Sequence, residues 1–405
     1  MSERGPRIRL AAVWLLAATA ACLPLYVVRY RVGPLPTTLL EDLIGITVAA
    51  YALTLWAERR LPAARTAYDI PILLLLVAGI LGIVASPDHT RALGIYRAYF
   101  VEAILVFYVA VDLIRTPKEL RTVLLGGAAG AAVLAAGQVV VFFIALAHHS
   151  VQIDSAPAFL NTSANAVALY LEPPLAFAIG FTLFPTSPKE RWYAAALLSL
   201  LLVAMVLTLS RAGYAALALL AAVMILSVTN RRVRLGIVGG LAIALLAALE
   251  LPFINQRLST LNHSVQLRLS IYHQALTMLS QRPIFGAGIS GFPIRVAPLR
   301  PASQEIELYP HNLWLTTWSE IGLLGVIAFG VIFFGLLWRG WRALGQAKGI
   351  YKPVIWGSVG ALVLYLVHGM FDSPYWKNDL SLEFWIIAAL QVIAIRGARA
   401  STPSS

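Results

Sequence analysis

The sequence predicts an all-α polytopic membrane protein of about twelve transmembrane helices. Of its 405 residues, 59% are hydrophobic and only 12% are charged. A soluble chain of this length could not cover so much apolar surface with a polar shell, so lipid must be the solvent for most of it. Basic residues also gather in alternate connections between the apolar stretches, as expected for a multi-pass membrane protein.

Twelve apolar stretches, each near the ~20 residues that cross a bilayer core, are predicted to span the membrane. They cover residues 10–30, 38–57, 69–86, 95–114, 121–147, 164–184, 191–210, 212–229, 234–250, 312–337, 353–371 and 380–395. The first stretch is too long for the apolar region of a signal peptide and lacks a convincing small-residue cleavage site. It is therefore predicted to remain as the first helix of one integral membrane domain, residues 1–405.

The distribution of charge predicts that both termini are cytoplasmic. If the first segment is inside and the spans alternate, the inner segments carry twenty of the 31 lysines and arginines. The formal net charge of +12 then reflects basic cytoplasmic loops and does not call for a nucleic-acid partner. A single cysteine, Cys22, excludes a disulfide framework and a cysteine-based metal site.

Residues 251–311, between the ninth and tenth predicted spans, form the only long outer segment. A helical stretch from Ser264 to Ser280 is loosely amphipathic and brings Arg268 and Tyr272 together at i,i+4. The stretch ends in Arg282-Pro283-Ile284-Phe285-Gly286-Ala287-Gly288, which predicts a helix end and a turn. We therefore expect one extracytoplasmic loop with an amphipathic helix.

Arginines on the predicted outer face suggest an anion site. Arg211 lies between two apolar runs with hardly a loop between them, where it could hold an anion or simply snorkel to the interface. The long loop contains arginine and no lysine, at Arg257, Arg268, Arg282, Arg295 and Arg300. Any one of these could be merely solvated, but as a group they suit the forked recognition of phosphate.

A histidine opens the tenth predicted span in Tyr309-Pro310-His311-Asn312-Leu313-Trp314. At that place it could titrate near neutral pH and reach a substrate, or it could be a polar member of an interfacial aromatic belt. His368 lies about one helical turn from Asp372 near the outer end of the eleventh span. The chain lacks the GxxxxGK[ST], GxSxG and HExxH motifs, so ATP hydrolysis and metalloproteolysis have no support.

His311-Asn312 is followed by nine residues and then by Gly322 and Gly325, which fits the pattern H-[NSQ]-x9-G-x-x-G. With this motif the chain resembles the O-antigen ligase and Wzy polymerase superfamily. Further similar segments are Arg268 leading into Pro283-x-x-Gly286-x-Gly288-x-x-Gly291-Phe292, Ser210-Arg211-Ala212-Gly213, and the stretch from Asn161 to Leu171. The family's R-x3-L ligase motif is imperfect here, because position 215 is alanine and leucine follows only at Leu217.

The resemblance implies a glycosyltransferase of GT-C-type architecture that uses no metal and no other cofactor. It implies a bacterial cytoplasmic (inner) membrane protein that transfers a glycan from undecaprenyl diphosphate to an acceptor hydroxyl outside the cytoplasm. The acceptor would be a lipid core, a cell-wall polymer or another glycolipid. Direct attack would invert the anomeric centre.

The same reading assigns roles to the polar residues. His311 is the candidate base, and Arg211 and Arg268 together with Arg295 are candidates for holding the pyrophosphate as it leaves. Asp372 or Glu320 is expected to orient His311. The other candidate supporting residues are Asn312, Tyr272 and His368.

Two alternatives stay open at this point. A Wzy-like polymerase would extend the glycan on its own lipid carrier, although the single modest loop favours a ligase. A transporter or flippase of a polyprenyl-linked or anionic substrate would show inverted repeats, broken helices and charges along a path through the bilayer. The candidate residues gather at one face instead, which disfavours a transporter.

Overall fold

A computed structural model describes residues 4–33, 35–152, 156–227 and 261–400, together with the isolated residues 231, 235 and 239. Its helices are α1 (Arg4–Ala21), α2 (Leu39–Glu58), α3 (Asp69–Ala85), α4 (His89–Tyr96), α5 (Ala103–Leu113), α6 (Pro117–Ala147), α7 (Ala164–Leu183), α8 (Pro188–Leu207), α9 (Arg211–Ser227), α10 (Leu261–Gln281), α11 (Phe292–Val296), α12 (Leu313–Ala343), α13 (Tyr351–His368) and α14 (Asn378–Ala400). A π-helical turn, Arg97–Glu102, joins α4 to α5.

Side chains cap several helices at their N-termini. Ser163 accepts from the backbone N–H of Ala166 at the start of α7, and Ser187 accepts from Glu190 at the start of α8. Thr116 and Glu119 form a reciprocal capping box at the start of α6. The first N–H groups of a helix have no intrahelical partner, and each cap supplies an acceptor for one of them.

The described part of the chain is mostly helical, and seven of its helices are long and apolar enough to cross a membrane by length and composition. Along α12 the exposed apolar side chains recur at helical spacing on one face, at Leu323, Ile327, Val331, Phe334 and Trp338. Such an apolar face needs lipid around it. The coarse prediction of a polytopic helical protein agrees with this structure.

The structure differs from the prediction near the N-terminus, and two predicted features lie outside the described residues. The first predicted span, 10–30, is shorter than expected, because α1 ends at Ala21 and a 3-10 helix, Leu23–Val27, follows with Pro24 near its start. The chain then forms an antiparallel hairpin of β1 (Arg29–Val32) and β2 (Leu35–Thr38), so the fold is not purely α. The ninth predicted span, 234–250, and Arg257 lie outside the described residues.

Helices α7, α13 and α14 form the centre of the bundle. α13 packs against α7, α9, α12 and α14, and α7 also packs against α8. Side chains on nearly every face of α14 are buried from Asn378 to Ile393. The ends of these central helices are therefore fixed relative to one another.

Helix α12 is broken at Gly322, whose backbone is in the left-handed region with φ 70°. The break frees the carbonyl of Ser319, which accepts hydrogen bonds from the N–H groups of Ala287 (2.7 Å) and Gly288 (3.2 Å). Beyond the break, the N–H of Leu323 donates to the carbonyl of Ile284 at 2.9 Å. The turn that follows α10 thus completes the hydrogen bonding that α12 loses at Gly322.

The same turn is held from its other side by α3. The N–H of Ile289 donates to the carbonyl of Gly82 at 3.0 Å, and the Ser86 hydroxyl donates to the carbonyl of Ile289 at 2.7 Å. Gly288 adopts φ 81°, and a Cβ there would lie 2.4 Å from the backbone nitrogen of Ser86. Only glycine fits this place without moving α3 away from the turn.

We expect Gly288→Ala to lower the free energy of unfolding by roughly 1–3 kcal/mol, since a side chain at this φ is strained and would also overlap backbone atoms. Gly45→Ala is the matched control, because a Cβ at Gly45 meets nothing within 4 Å. Thermal unfolding of both variants in the same detergent measures the difference. Equal melting temperatures for the two variants would contradict the close packing of the turn against α3.

Candidate functional site

His311 and Asp372 meet at one end of the bundle. His311 directly precedes Asn312, the N-cap of α12, and has φ 53°, while Asp372 lies in the connection between α13 and α14. The Nδ1 atom of His311 lies 3.2 Å from the Oδ1 atom of Asp372. Oδ1 also accepts from the backbone N–H of Ser373 at 2.7 Å, which fixes the carboxylate toward the imidazole.

Asn312 caps α12 beside His311. Its side-chain oxygen accepts from the N–H groups of Trp314 and Leu315 at 3.0 and 3.1 Å, and its amide nitrogen donates to the carbonyl of Met370 at 3.2 Å. Asn312 therefore ties the start of α12 to the connection that carries Asp372. Its role in the structure is to position the backbone of His311.

Glu307 is a second carboxylate on His311, which the sequence reasoning did not single out. Its Oε2 atom lies 2.9 Å from the Nε2 atom of His311, which follows Glu307 by four residues in the sequence. With one carboxylate on each ring nitrogen, both nitrogens act as donors, as in an imidazolium ion. Burial disfavours that charge, but the hydrogen bonds to Asp372 and Glu307 outweigh burial and raise the pKa of His311 to about 10.

The carboxylates respond in the opposite direction. Burial would raise the pKa of Asp372, but the hydrogen bond from His311 and the neighbouring positive charge hold it well below its usual range. The hydrogen bond from His311 likewise lowers the pKa of Glu307. At neutral pH the group therefore consists of one imidazolium between two ionised carboxylates.

Helix α10 brings Arg268 and Tyr272 to the same place. The Nε atom of Arg268 donates to the carbonyl of Phe371 at 2.9 Å, directly beside Asp372 in the chain. The Tyr272 hydroxyl lies 3.1 Å from the carbonyl oxygen of His311 and 2.5 Å from that of Met370. The i,i+4 spacing of the two residues puts both side chains on the face of α10 that contacts the bundle.

Arg211 is the first residue of α9, and its Nη2 atom donates to the hydroxyl of Ser264 on α10. The preceding residue, Ser210, is buried, and its hydroxyl accepts from the N–H of Gly213 at 3.1 Å. The same hydroxyl donates to the Oδ1 atom of Asn165 at 2.5 Å, and the amide nitrogen of Asn165 donates to Oδ2 of Asp372. Arg211 is thus connected to Asp372 from two sides, through α10 and through α7.

Three of the predicted site residues make no hydrogen bond to His311 or Arg268 in the described part of the structure. Glu320 does not orient His311, because it is fully buried with Oε2 accepting from the N–H of Ser290 at 2.5 Å. His368 is also fully buried and pairs through Nδ1 with Glu172 at 2.6 Å. Arg295 lies on α11, and within the described ranges no hydrogen bond or ion pair joins it to His311 or Arg268.

The resulting constellation combines two kinds of chemistry. Two guanidinium groups, from Arg211 and Arg268, can neutralise an anion, and an imidazole oriented by Asp372 can exchange a proton. Within the described residues, no group of three or more histidine, cysteine, aspartate or glutamate side chains is arranged to hold a metal ion. Glu307 and Asn165 complete the constellation through their contacts with His311 and Asp372.

The family model described as O-antigen ligase matches residues 195–330 of this chain. No curated protein matches the chain. The resemblance predicted from the motifs to the O-antigen ligase and Wzy polymerase superfamily is confirmed by this match. The matched segment contains Arg211, Arg268, Arg295 and His311.

We expect His311 to hold its proton up to a pH of about 10 in the wild-type protein. Glu307→Gln removes one of the two charges that stabilise the imidazolium, so it should lower the pKa of His311 by about 1 or more. NMR of protein labelled with ¹³C on histidine Cε1 measures both values, with His311→Gln to assign the signal. An unchanged pKa in Glu307→Gln would contradict the contact between Glu307 and Nε2.

Proposed function

We propose that this chain is an O-antigen ligase-like glycosyltransferase. It would move a glycan from undecaprenyl diphosphate to an acceptor hydroxyl on the outer face of the bacterial cytoplasmic membrane. The observation that carries the proposal is the hydrogen-bonded group of His311 and Asp372, linked to Arg211 and Arg268, within and beside a segment that matches O-antigen ligase. The proposed orientation, with both termini cytoplasmic, follows from the distribution of basic residues.

The reaction needs a positive charge where the leaving group departs. The bond between the anomeric carbon and the pyrophosphate oxygen breaks, and the electron pair leaves with the undecaprenyl diphosphate. Arg211 and Arg268 supply fixed cations with several donors each, which suits a pyrophosphate better than a point charge does. In the proposal these two arginines stabilise the departing charge without a metal ion. Arg295 is a weaker candidate for binding the pyrophosphate, because it lies outside the hydrogen-bonded group.

The reaction also needs a base for the acceptor hydroxyl. As the acceptor oxygen forms its bond to the anomeric carbon on the face opposite the pyrophosphate, its proton passes to the Nε2 atom of His311. The result is inversion at that carbon. Asp372 holds Nδ1 and stabilises the imidazolium that forms, as a carboxylate does in other oriented histidine pairs.

Glu307 has to leave Nε2 before this step, because an imidazolium with both nitrogens donating cannot accept a proton. The acceptor hydroxyl would take the place of the Glu307 carboxylate. Once Glu307 has moved away, only Asp372 supports the imidazolium, and the pKa of His311 falls toward neutrality. In the proposal, acceptor binding therefore converts His311 into a usable base.

The two alternatives predict different products. A polymerase would add glycan units to the lipid carrier and give a ladder of lengths, whereas a ligase gives one transfer to the acceptor. A transporter would move the lipid-linked glycan across the bilayer without making a new glycosidic bond. The catalytic-type residues of the described chain cluster at one end of the bundle, which suits group transfer better than a path through the membrane.

We expect His311→Ala to reduce transfer about 10²–10⁴-fold, which is the usual contribution of a positioned base. The assay uses purified protein, a polyprenyl-diphosphate glycan and candidate acceptors, in EDTA. His273→Ala is the matched control, because His273 is an exposed histidine on α10. Full activity of His311→Ala would remove His311 from the catalytic role.

Arg211→Lys should lower the rate of transfer roughly 10-fold or more, because a lysine keeps the charge but loses the forked donors, equivalent to a charge-assisted hydrogen bond of about 1.5–3 kcal/mol. Arg282→Lys provides the control, since Arg282 is exposed at the end of α10. The rates are compared at saturating donor. Wild-type turnover by Arg211→Lys would return this arginine to a snorkelling role.

A further inference from the structure

Asn165 connects the two halves of the candidate site through its side-chain amide. Its Nδ2 atom donates to Oδ2 of Asp372, and its Oδ1 atom accepts from the hydroxyl of Ser210 at 2.5 Å. We propose that Asn165 is a positioning residue that holds the carboxylate of the histidine pair and the arginine-bearing end of α9 in one fixed geometry. This inference rests on the proposed transferase function.

The orientation of the amide follows from its partners. An ionised carboxylate can only accept, so the NH₂ group must face Asp372 and the oxygen must face Ser210. The Ser210 hydroxyl then donates to Asn165 and accepts from the N–H of Gly213 at 3.1 Å. Each polar atom in this series of hydrogen bonds therefore has a partner. Donors and acceptors can be assigned along the series in only one way.

Asn165 completes the set of donors around Asp372. Oδ1 receives Nδ1 of His311 and the N–H of Ser373, so Asn165 is the donor that engages Oδ2. Without it, a partly buried carboxylate oxygen would lose its partner and the carboxylate could rotate away from the imidazole. Asn165 acts on the proton-accepting histidine through Asp372 and touches no reacting atom.

The other end of Asn165 reaches the anion-holding side. Ser210 directly precedes Arg211 and caps the start of α9, so a shift of Ser210 also shifts Arg211. Asn165 lies near the start of α7, a central helix whose position is fixed by α13. A rigid helix thereby sets the spacing between the group that takes the proton and the group that holds the leaving phosphate.

Several charged groups surround Asp372 and must be considered when its environment is changed. His311 and His368 contribute positive charge, and Lys377 lies on the same connection. Glu307 contributes negative charge from the loop before α12, and Glu172 on α7 pairs with His368. Asn165 is a neutral donor in this group, so its removal changes geometry without removing a charge.

The test compares Asn165→Ala and Asn165→Asp with wild type by kcat, KM for the donor, and the pH dependence of kcat. We expect Asn165→Ala to lower kcat by about 10²-fold with KM changed much less, because misalignment of about 1 Å has an effect of that size. The acid limb of its pH profile, which reports the protonation of His311, should move to lower pH, because a carboxylate that rotates away no longer stabilises the imidazolium. Asn165→Asp should be less active still above the pKa of the new carboxyl, because two ionised carboxylates would face each other.

Ser163→Ala is the control for a purely structural effect at the start of α7. Ser163 is exposed and caps α7 by accepting from Ala166, so its loss weakens the same helix end without touching Asp372. We expect Ser163→Ala to keep the wild-type kcat and pH profile. A folded Asn165→Ala with unchanged kcat and pH profile, or an equal loss in Ser163→Ala, would overturn the proposal.

A second readout separates this proposal from the proposed function. The pKa of His311, followed by NMR of ¹³C-labelled histidine, should change in Asn165→Ala and stay at the wild-type value in Ser163→Ala. If wild type transfers no glycan, the proposed function fails, but a changed His311 pKa still supports the link through Asp372. An unchanged His311 pKa would overturn the link even in an active enzyme.

Discussion

The break in α12 at Gly322 is the constraint on which the candidate site depends. A continuous helix would use the carbonyl of Ser319 for its own hydrogen bonding, and the turn after α10 would have no place to bind. Because the break frees backbone groups, the turn docks between α12 and α3, and α10 is fixed over the end of the bundle. Arg268 and Tyr272 reach the backbone around His311 only because α10 is held there.

The site then gathers from segments that are far apart in sequence. Arg211 belongs to α9, Arg268 to α10, His311 to the start of α12 and Asp372 to the connection after α13. Hydrogen bonds and short stretches of backbone join them, and each charged group is met by a hydrogen-bond partner or an opposite charge. In surroundings of low polarity such contacts are stronger than in water, and leaving one group unpartnered is correspondingly unfavourable. The arrangement is therefore suited to keeping several charges in place before any substrate arrives.

Sequence reasoning found the features that depend on local pattern. Residues close together in the sequence determine the length and apolarity of the helices, the i,i+4 pair on α10 and the glycines that follow it. Glu307 was missed because a glutamate in a loop is common and only its contact with Nε2 distinguishes it. Glu320 was assigned the wrong partner, because a sequence cannot tell which side of a broken helix a side chain lies on. Asn165 and Asp372 are 207 residues apart, and no periodic sequence pattern relates residues at that separation.

The backbone angle of His311 has a consequence for how this position can vary over time. At φ 53° a residue sits in the left-handed region, which glycine, asparagine, aspartate and histidine tolerate far better than β-branched side chains do. Proline cannot adopt this angle at all, because its ring fixes φ near −65°. Evolutionary drift at position 311 is therefore confined by the main chain as well as by chemistry. If a related protein lost the imidazole, we expect asparagine or glycine at this position, because both residues tolerate the backbone conformation of the turn.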